Sequence, residues 1–203
     1  SKELLRRLDW LRNKEDIKAS NDWKKILRKI KNKKQYKGVL MAYNFSKNMN
    51  YDHPGLSSNI YFYHPLRVCI LSTKIFPKKS PELMTLCLLH NIFETTKINE
   101  RIVEKIFGNK ISKYLKILTV DRKKEWKKGY KKNYYKKIDF SNQNVTLVKI
   151  IDKLDNLYLL KNNKNQKIKK RYLEEVQRYI LPLVKKKAGH IHKYYENLIK
   201  FSK

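Results

Sequence analysis

Residues 88–96 read LLHNIFETT and close an apolar run, PELMTLCLLHNIFE, that opens at Pro81. The run is apolar at almost every position, so it predicts a helix buried on all sides, with Pro81 in its first turn. His90 and Asn91 then fall inside the helix, and Glu94 lies one turn on, on the side of His90. Imidazole suits borderline divalent ions. A lone His in an apolar helix is more often a satisfied core residue, so the reading turns on what else the chain offers.

Two more polar positions share that apolar setting. His64 precedes Pro65 in YFYHPLRVCI, and Asp152 sits in VTLVKIIDKLDNLYLL beside Lys149, Lys153 and Asp155. Two His and an Asp, each in a hydrophobic context, point to a site for an ion such as Mn²⁺ more than to three coincidences. His53, His190 and His192 have no such setting and read as surface residues.

The surrounding pattern is helical. Residues 60–76 and 145–160 are apolar with polar interruptions. Ile102, Val103, Ile106 and Phe107 follow helical spacing and stop at Gly108, and residues 170–201 give further helices broken near Pro182 and Gly189. With only 5 Gly and 5 Pro in 203 residues, the turns of a β-rich fold are scarce, so the class is all-α. Apolar residues make up 41% of the chain, enough for one core. The expected division is a basic helical N-terminal extension over residues 1–37 and a helical domain over 38–203. No apolar run reaches membrane-spanning length. Ser1 stands where an initiator Met would, so any targeting peptide is expected to be absent or removed. Cys69 and Cys87 lie in apolar stretches and read as reduced core thiols of an intracellular or organellar protein.

Charge is the other pronounced feature: 49 Lys and Arg against 18 Asp and Glu, a net charge of +31. Lys far outnumbers Arg, and Asn, Ile and Tyr are frequent, as A/T-rich codon usage would produce. That explains the choice of Lys over Arg better than the excess of base over acid. Self-repulsion on this scale is relieved by a polyanion, and phosphate neutralisation drives nucleic-acid binding. Two segments concentrate the charge. In residues 1–37, Leu4, Leu5, Leu8 and Leu11 have helical spacing, and Asn21-Asp22 reads as the cap of a second helix carrying Trp23, Ile26, Leu27 and Ile30. The polar face there is Lys24, Lys25, Arg28, Lys29 and Lys31, continued by Lys33 and Lys34. Residues 122–137 read RKKEWKKGYKKNYYKK, with Arg122, Lys123, Lys124, Lys127, Lys128, Lys131, Lys132, Lys136 and Lys137 interleaved with Trp126, Tyr130, Tyr134 and Tyr135. Such aromatics either stack on unpaired bases or line the core face of an amphipathic helix.

Taken together, HPLRV (64–68), LLHNIFETT, IVEKIFG (102–108), LVKIIDKLDNLYLL (147–160) and LEEVQRYILPLVKKKAG (173–189) resemble, in order, the HD-domain hydrolases of the RelA/SpoT type. The likeness is nearest to their small single-domain metazoan form and covers about residues 39–203. It implies a helical HD bundle and a Mn²⁺ site that removes pyrophosphate from guanosine tetraphosphate, with NADPH dephosphorylation linked to the animal form. By motif position it makes His64, His90 and Asp152 metal ligands, Glu94 the acid that positions the attacking water, and Asn156 a nucleotide contact. Departures fall at Asn91, where the family has a metal-binding Asp, and at Thr95, where it has the second acid of an ED pair. Asp52 and Ser57-Ser58 stand where basic residues embrace the substrate, and Asn48 lies near an expected His.

The eroded site and the basic surplus predict a catalytically impaired HD-domain protein that binds RNA, rRNA in kind, by its Lys-rich segments, as a structural component among neighbouring subunits of a ribonucleoprotein. A mitochondrial ribosome is the expected particle and mitochondria the expected location, with no cofactor. The alternative is a cytoplasmic Mn²⁺-dependent guanosine-3′,5′-bis(diphosphate) 3′-pyrophosphohydrolase. A metal-free nucleotide sensor is a third reading.

Overall fold

The computed structural model describes residues 2–30, 32, 34–53, 56–76, 80–160 and 163–202, with side chains described from Asp16 onward. Secondary structure among these residues is helical, with one isolated bridge between His53 and Leu56. The chain divides into two compact units, Ser1–Thr119 and Val120–Lys203. No helix among the described residues is long and apolar enough to cross a membrane.

The first unit contains α1 (Lys2–Lys29), α2 (Lys37–Lys47), α3 (Ser58–Tyr61), α4 (Tyr63–Ile75), α5 (Pro81–Leu89), α6 (Ile92–Thr95), α7 (Glu100–Phe107) and α8 (Asn109–Leu118). Its centre is α5, which starts on Pro81 and is capped by Ser80. Every residue from Leu83 to Leu89 is buried, as an all-round apolar helix requires. It packs on α2 and α4. Cys69 and Cys87 are buried and free, and burial pushes the Cys69 thiol well up, with Cys87 beside it adding to the effect. Gly108 ends α7 with φ of +85°, a conformation open to glycine at little cost.

The basic segment at the start differs from expectation. Residues 2–29 form one helix rather than two. Asp22 does not cap a helix. It accepts from Lys74 at 2.6 Å, which draws its carboxyl below the usual range. Trp23 is 2% exposed and stacks on Tyr43 with ring centroids 4.8 Å apart, and Ala19 is buried one turn earlier. Burial of that face against α4 and α2 outweighs the local capping signal, so the helix continues through residue 21. The proposed leucine face at Leu4, Leu5, Leu8 and Leu11 lies outside the described side chains, and Lys31 and Lys33 lie outside the described residues.

Asp16 anchors the same helix. Its Oδ1 accepts from the Arg67 guanidinium of α4 at 2.7 Å, with the side chains 5% and 11% exposed. Asp16→Asn is expected to lower stability by about 2 kcal/mol in urea denaturation, because the amide oxygen keeps a hydrogen bond while Arg67 loses its counter-charge. The exposed Lys74–Asp22 pair offers a contrast: Lys74→Ala should cost well under about 1 kcal/mol.

The second unit contains α9 (Tyr130–Asp139), α10 (Gln143–Leu160), α11 (Gln166–Glu175), α12 (Leu181–Lys187) and α13 (His192–Phe201). A π-helical turn, Val176–Ile180, joins α11 to α12. Pro182 in the first turn of α12 cannot donate to the carbonyl of Arg178, and the widened turn accommodates that missing bond. Against α10 pack α9, α12 and α13, and the fully buried Tyr195 of α13 donates its hydroxyl to the Ile150 carbonyl at 2.5 Å.

Residues 122–129 form turns rather than the start of an amphipathic helix, because Gly129 takes a left-handed conformation (φ +81°) immediately before α9. Tyr134 and Tyr135 are buried in the core, and Tyr130 receives the Asp121 backbone N–H on its hydroxyl. Of the interleaved aromatics, Trp126 is the exposed one, at 66%.

Candidate metal centre

The apolar run does not continue through its polar pair. α5 ends at Leu89, His90 and Asn91 form a turn, and α6 begins at Ile92. Asn91 adopts φ −102°, ψ 5°, and its carbonyl accepts from Glu94 N–H, Thr95 N–H and the Thr95 hydroxyl (2.7 Å). The expectation of a mid-helix His90 with Glu94 one continuous turn later is therefore corrected. The break swings the chain so that the two neighbouring polar side chains have separate partners.

His90 is 1% exposed, and its Nδ1 donates to the Cys87 carbonyl at 2.7 Å. A carbonyl only accepts, so that contact fixes the proton on Nδ1 and leaves Nε2 for a ligand. His64, 8% exposed in the first turn of α4, brings its own Nε2 to within 3.2 Å of His90 Nε2. Pro65 presets this turn with its fixed φ. Two imidazoles aimed nitrogen to nitrogen inside apolar walls make a donor set that fits a borderline divalent ion. The tautomer, set by a backbone carbonyl, matches how ligating histidines are oriented.

Asn91 points its amide at another group. Its Nδ2 donates to the Tyr61 hydroxyl at 2.7 Å, leaving the carbonyl oxygen as the atom able to ligate. Tyr61 also contacts the rings of His64, His53 and Tyr51. His53, read as a surface residue from sequence, is half-buried against Tyr61, and only its spacing from the apolar YFY stretch could have hinted at this. His190 is exposed, and His192 is half-buried with Glu196 3.8 Å away.

Beside Tyr51 lies a cleft of about 450 Å³ lined by residues 49–52 and 96–98, with Lys97 as its cation. Sequence reasoning passed over Lys97. Tyr51 hydrogen-bonds Ser46 at 2.5 Å, and burial pushes its phenol up to about 12. Ser58, expected near the substrate, instead tethers the loop: it receives the Tyr51 N–H and donates to the Met49 carbonyl. The Asp52 N–H donates to the Thr95 carbonyl at 2.7 Å, joining the loop to the end of α6. Glu94 is half-buried in α6.

In the second unit Asp152 is 5% exposed on α10, and each of its carboxylate oxygens accepts a hydrogen bond. Oδ2 accepts from Lys149 Nζ at 3.0 Å and Oδ1 from the Asn156 amide at 2.8 Å. Asn156 therefore orients Asp152, a role its spacing of one helical turn allows. Asp155 is also buried. Some of the basic residues assigned to RNA are in ion pairs. Lys131 joins Glu175 in a half-buried ion pair, Arg122 pairs with Glu125 and Lys124 with Asp121. Lys24, Lys25, Arg28, Lys29, Lys34, Lys132, Lys136 and Lys137 are exposed.

Comparison with known proteins agrees with this arrangement. No family model matches the chain. It is 27% identical over 141 residues to a guanosine-3′,5′-bis(diphosphate) 3′-pyrophosphohydrolase of Aquifex aeolicus (strain VF5), a match covering 67% of the chain. The chain spans only about a fifth, 20%, of that relative's length. Its fold superposes on a solved metazoan orthologue of SpoT, described as hydrolysing ppGpp and acting in starvation responses. The TM-score is 0.66 at 19% identity, over 80% of this chain and 94% of the other. Fold and sequence converge: the chain has the helical fold of that SpoT orthologue and is similar in sequence to the Aquifex aeolicus pyrophosphohydrolase.

Proposed function

We propose that the chain is a divalent-metal-dependent phosphohydrolase that removes pyrophosphate from a 3′-pyrophosphorylated guanosine nucleotide. The observation that carries this reading is the convergence of His64 and His90 on their Nε2 atoms, with the His90 tautomer fixed from behind. Both stand where the family motif has ligands, and Asp152 is the third by the same motif match. A bound ion such as Mn²⁺ would supply Lewis-acid polarisation of a phosphoryl oxygen. Glu94 positions the attacking water, Asn156 holds Asp152 in orientation, and Lys97 meets substrate phosphate from the cleft. Asn91 contributes a neutral carbonyl where the family has a charge, so turnover is slow rather than absent.

The comparisons favour this reading over a structural ribonucleoprotein subunit. They give no support to a ribosomal role or a mitochondrial location. They also favour a metal over the expectation that no cofactor is held. The test is pyrophosphate release from guanosine 3′,5′-bis(diphosphate) by purified protein with Mn²⁺. Release that stops with a chelator is expected, and complete absence of release with Mn²⁺, Mg²⁺ or Co²⁺ would sink the proposal. NADPH as a second substrate reports whether a phosphomonoester is also cleaved. In calorimetric titration with Mn²⁺, His64→Gln and Asp152→Asn are each expected to weaken binding at least about tenfold. Unchanged affinity in Asp152→Asn would remove that residue from the ligand set.

A further inference from the structure

Trp126 is anomalous for a large aromatic. It is 66% exposed, yet the Arg171 guanidinium of α11 lies 4.2 Å from its ring centroid. One face of the indole is therefore stacked and held, and most of the residue remains in solvent. The loop around it leaves charge unneutralised. Arg122 and Lys124 are paired with Glu125 and Asp121, whereas Lys123, Lys127 and Lys128 are exposed and in no ion pair with a described acid. On α11, Lys167 is one turn before Arg171, on the same side of the helix, and exposed.

We propose that the Trp126–Arg171 pair is a stacking platform for one unpaired nucleobase, with Lys123, Lys127, Lys128 and Lys167 holding the adjoining phosphates of a single-stranded nucleic acid. A pinned planar aromatic beside cations is the arrangement that takes successive bases without reading sequence. Duplexes hide their base faces, so they gain only the phosphate contacts. A membrane surface fits less well, because Trp126 is surrounded by lysines rather than by an apolar cluster. This surface is independent of the metal centre and of the hydrolase reading.

The test is fluorescence anisotropy of the full chain with labelled 12-mer oligo-U and oligo-dT, a 12-base-pair duplex and inorganic polyphosphate as competitors. Trp126→Ala is expected to weaken oligomer binding about tenfold or more, with Trp126→Phe recovering most of it. Lys123→Gln, Lys127→Gln and Lys128→Gln combined should lower the slope of log affinity against log salt by about 2. Oligo-U over oligo-dT would identify RNA, and the reverse DNA. An unchanged affinity in Trp126→Ala, or a duplex or polyphosphate that competes as well as the single strand, would overturn the platform. So would binding to anionic phospholipid vesicles in place of oligomers. Circular dichroism of each variant, with Arg171→Lys as a second disruption of the stack, separates loss of the surface from loss of the fold.

Discussion

Asn91→Asp is expected to raise Mn²⁺-dependent pyrophosphate release about a hundredfold above the parent chain. An ionised carboxylate anchors a hard-to-borderline cation with a full charge, where the amide offers only a dipole. A restored charge at the reacting centre is worth about 3 kcal/mol of transition-state stabilisation, and each 1.4 kcal/mol is about tenfold in rate. The cost of the substitution is small. Asn91 Nδ2 now donates to the Tyr61 hydroxyl at 2.7 Å, and with Asp the phenol donates in return, keeping the bond and making it charge-assisted. The second departure is not so easily reversed. Thr95 is buried, and its hydroxyl donates to the Asn91 carbonyl at 2.7 Å. Thr95→Asp would remove that donor and set a carboxylate against the carbonyl oxygen. The double variant is therefore expected to fall below Asn91→Asp in turnover. If Asn91→Asp tightens Mn²⁺ binding in calorimetry but leaves the rate at the parent level, residue 91 is not the missing catalytic charge.

How much of this was legible in the sequence depended on whether the signal was apolar or polar. The burial of α5, the starts at Pro81 and the stop at Gly108 followed from runs of apolar residues and backbone-special residues, which act locally. The approach of His64 to His90 was expected from their shared apolar setting and from the family motif, since buried imidazoles need partners. The break at residue 90 was not legible. No Gly or Pro marks it, and the turn is held by the Cys87 carbonyl, Tyr61 and Thr95, groups that only the tertiary fold assembles. The single helix α1 was misread because Asn21-Asp22 is a good cap in isolation, whereas Asp22 is worth more as the partner of Lys74 beside a buried Trp23. Aromatics among lysines were ambiguous by spacing alone. Tyr134 and Tyr135 went to the core and Trp126 to the surface because Gly129 starts α9 only after the tryptophan.

The clearest effect on stability is expected at Glu175, a residue whose sequence context shows nothing unusual. Its carboxylate closes α11 and is surrounded by donors from two other helices. Lys153 of α10 lies at 3.0 Å, the Tyr135 hydroxyl of α9 donates at 2.5 Å, and Lys131 of α9 forms a further close pair. Burial alone would raise its pKa, but the charge of Lys153 and the hydrogen bonds from Lys131 and Tyr135 win and hold it at about 2. Glu175→Gln leaves Lys153, whose side chain is 15% exposed, facing an amide in a site built for an acid. The expected loss near neutral pH is about 3 kcal/mol, from the displacement between about 2 and the ordinary 4.5. In thermal melts this corresponds to a drop of roughly 6–12 °C for a chain of this size. The pH dependence has a definite sign. A depressed folded-state pKa contributes its full stability above the unfolded value of 4.5 and loses it as pH falls towards about 2. The gap between parent and Glu175→Gln should therefore be constant from pH 8 to 5 and close between pH 4.5 and 2. A gap that persists at pH 2, or never opens at pH 7, would show that packing rather than charge joins these three helices. Tyr135→Phe separates the two contributions further. It removes one neutral donor and no charge, so it should cost about 1 kcal/mol with little change from pH 8 to 5.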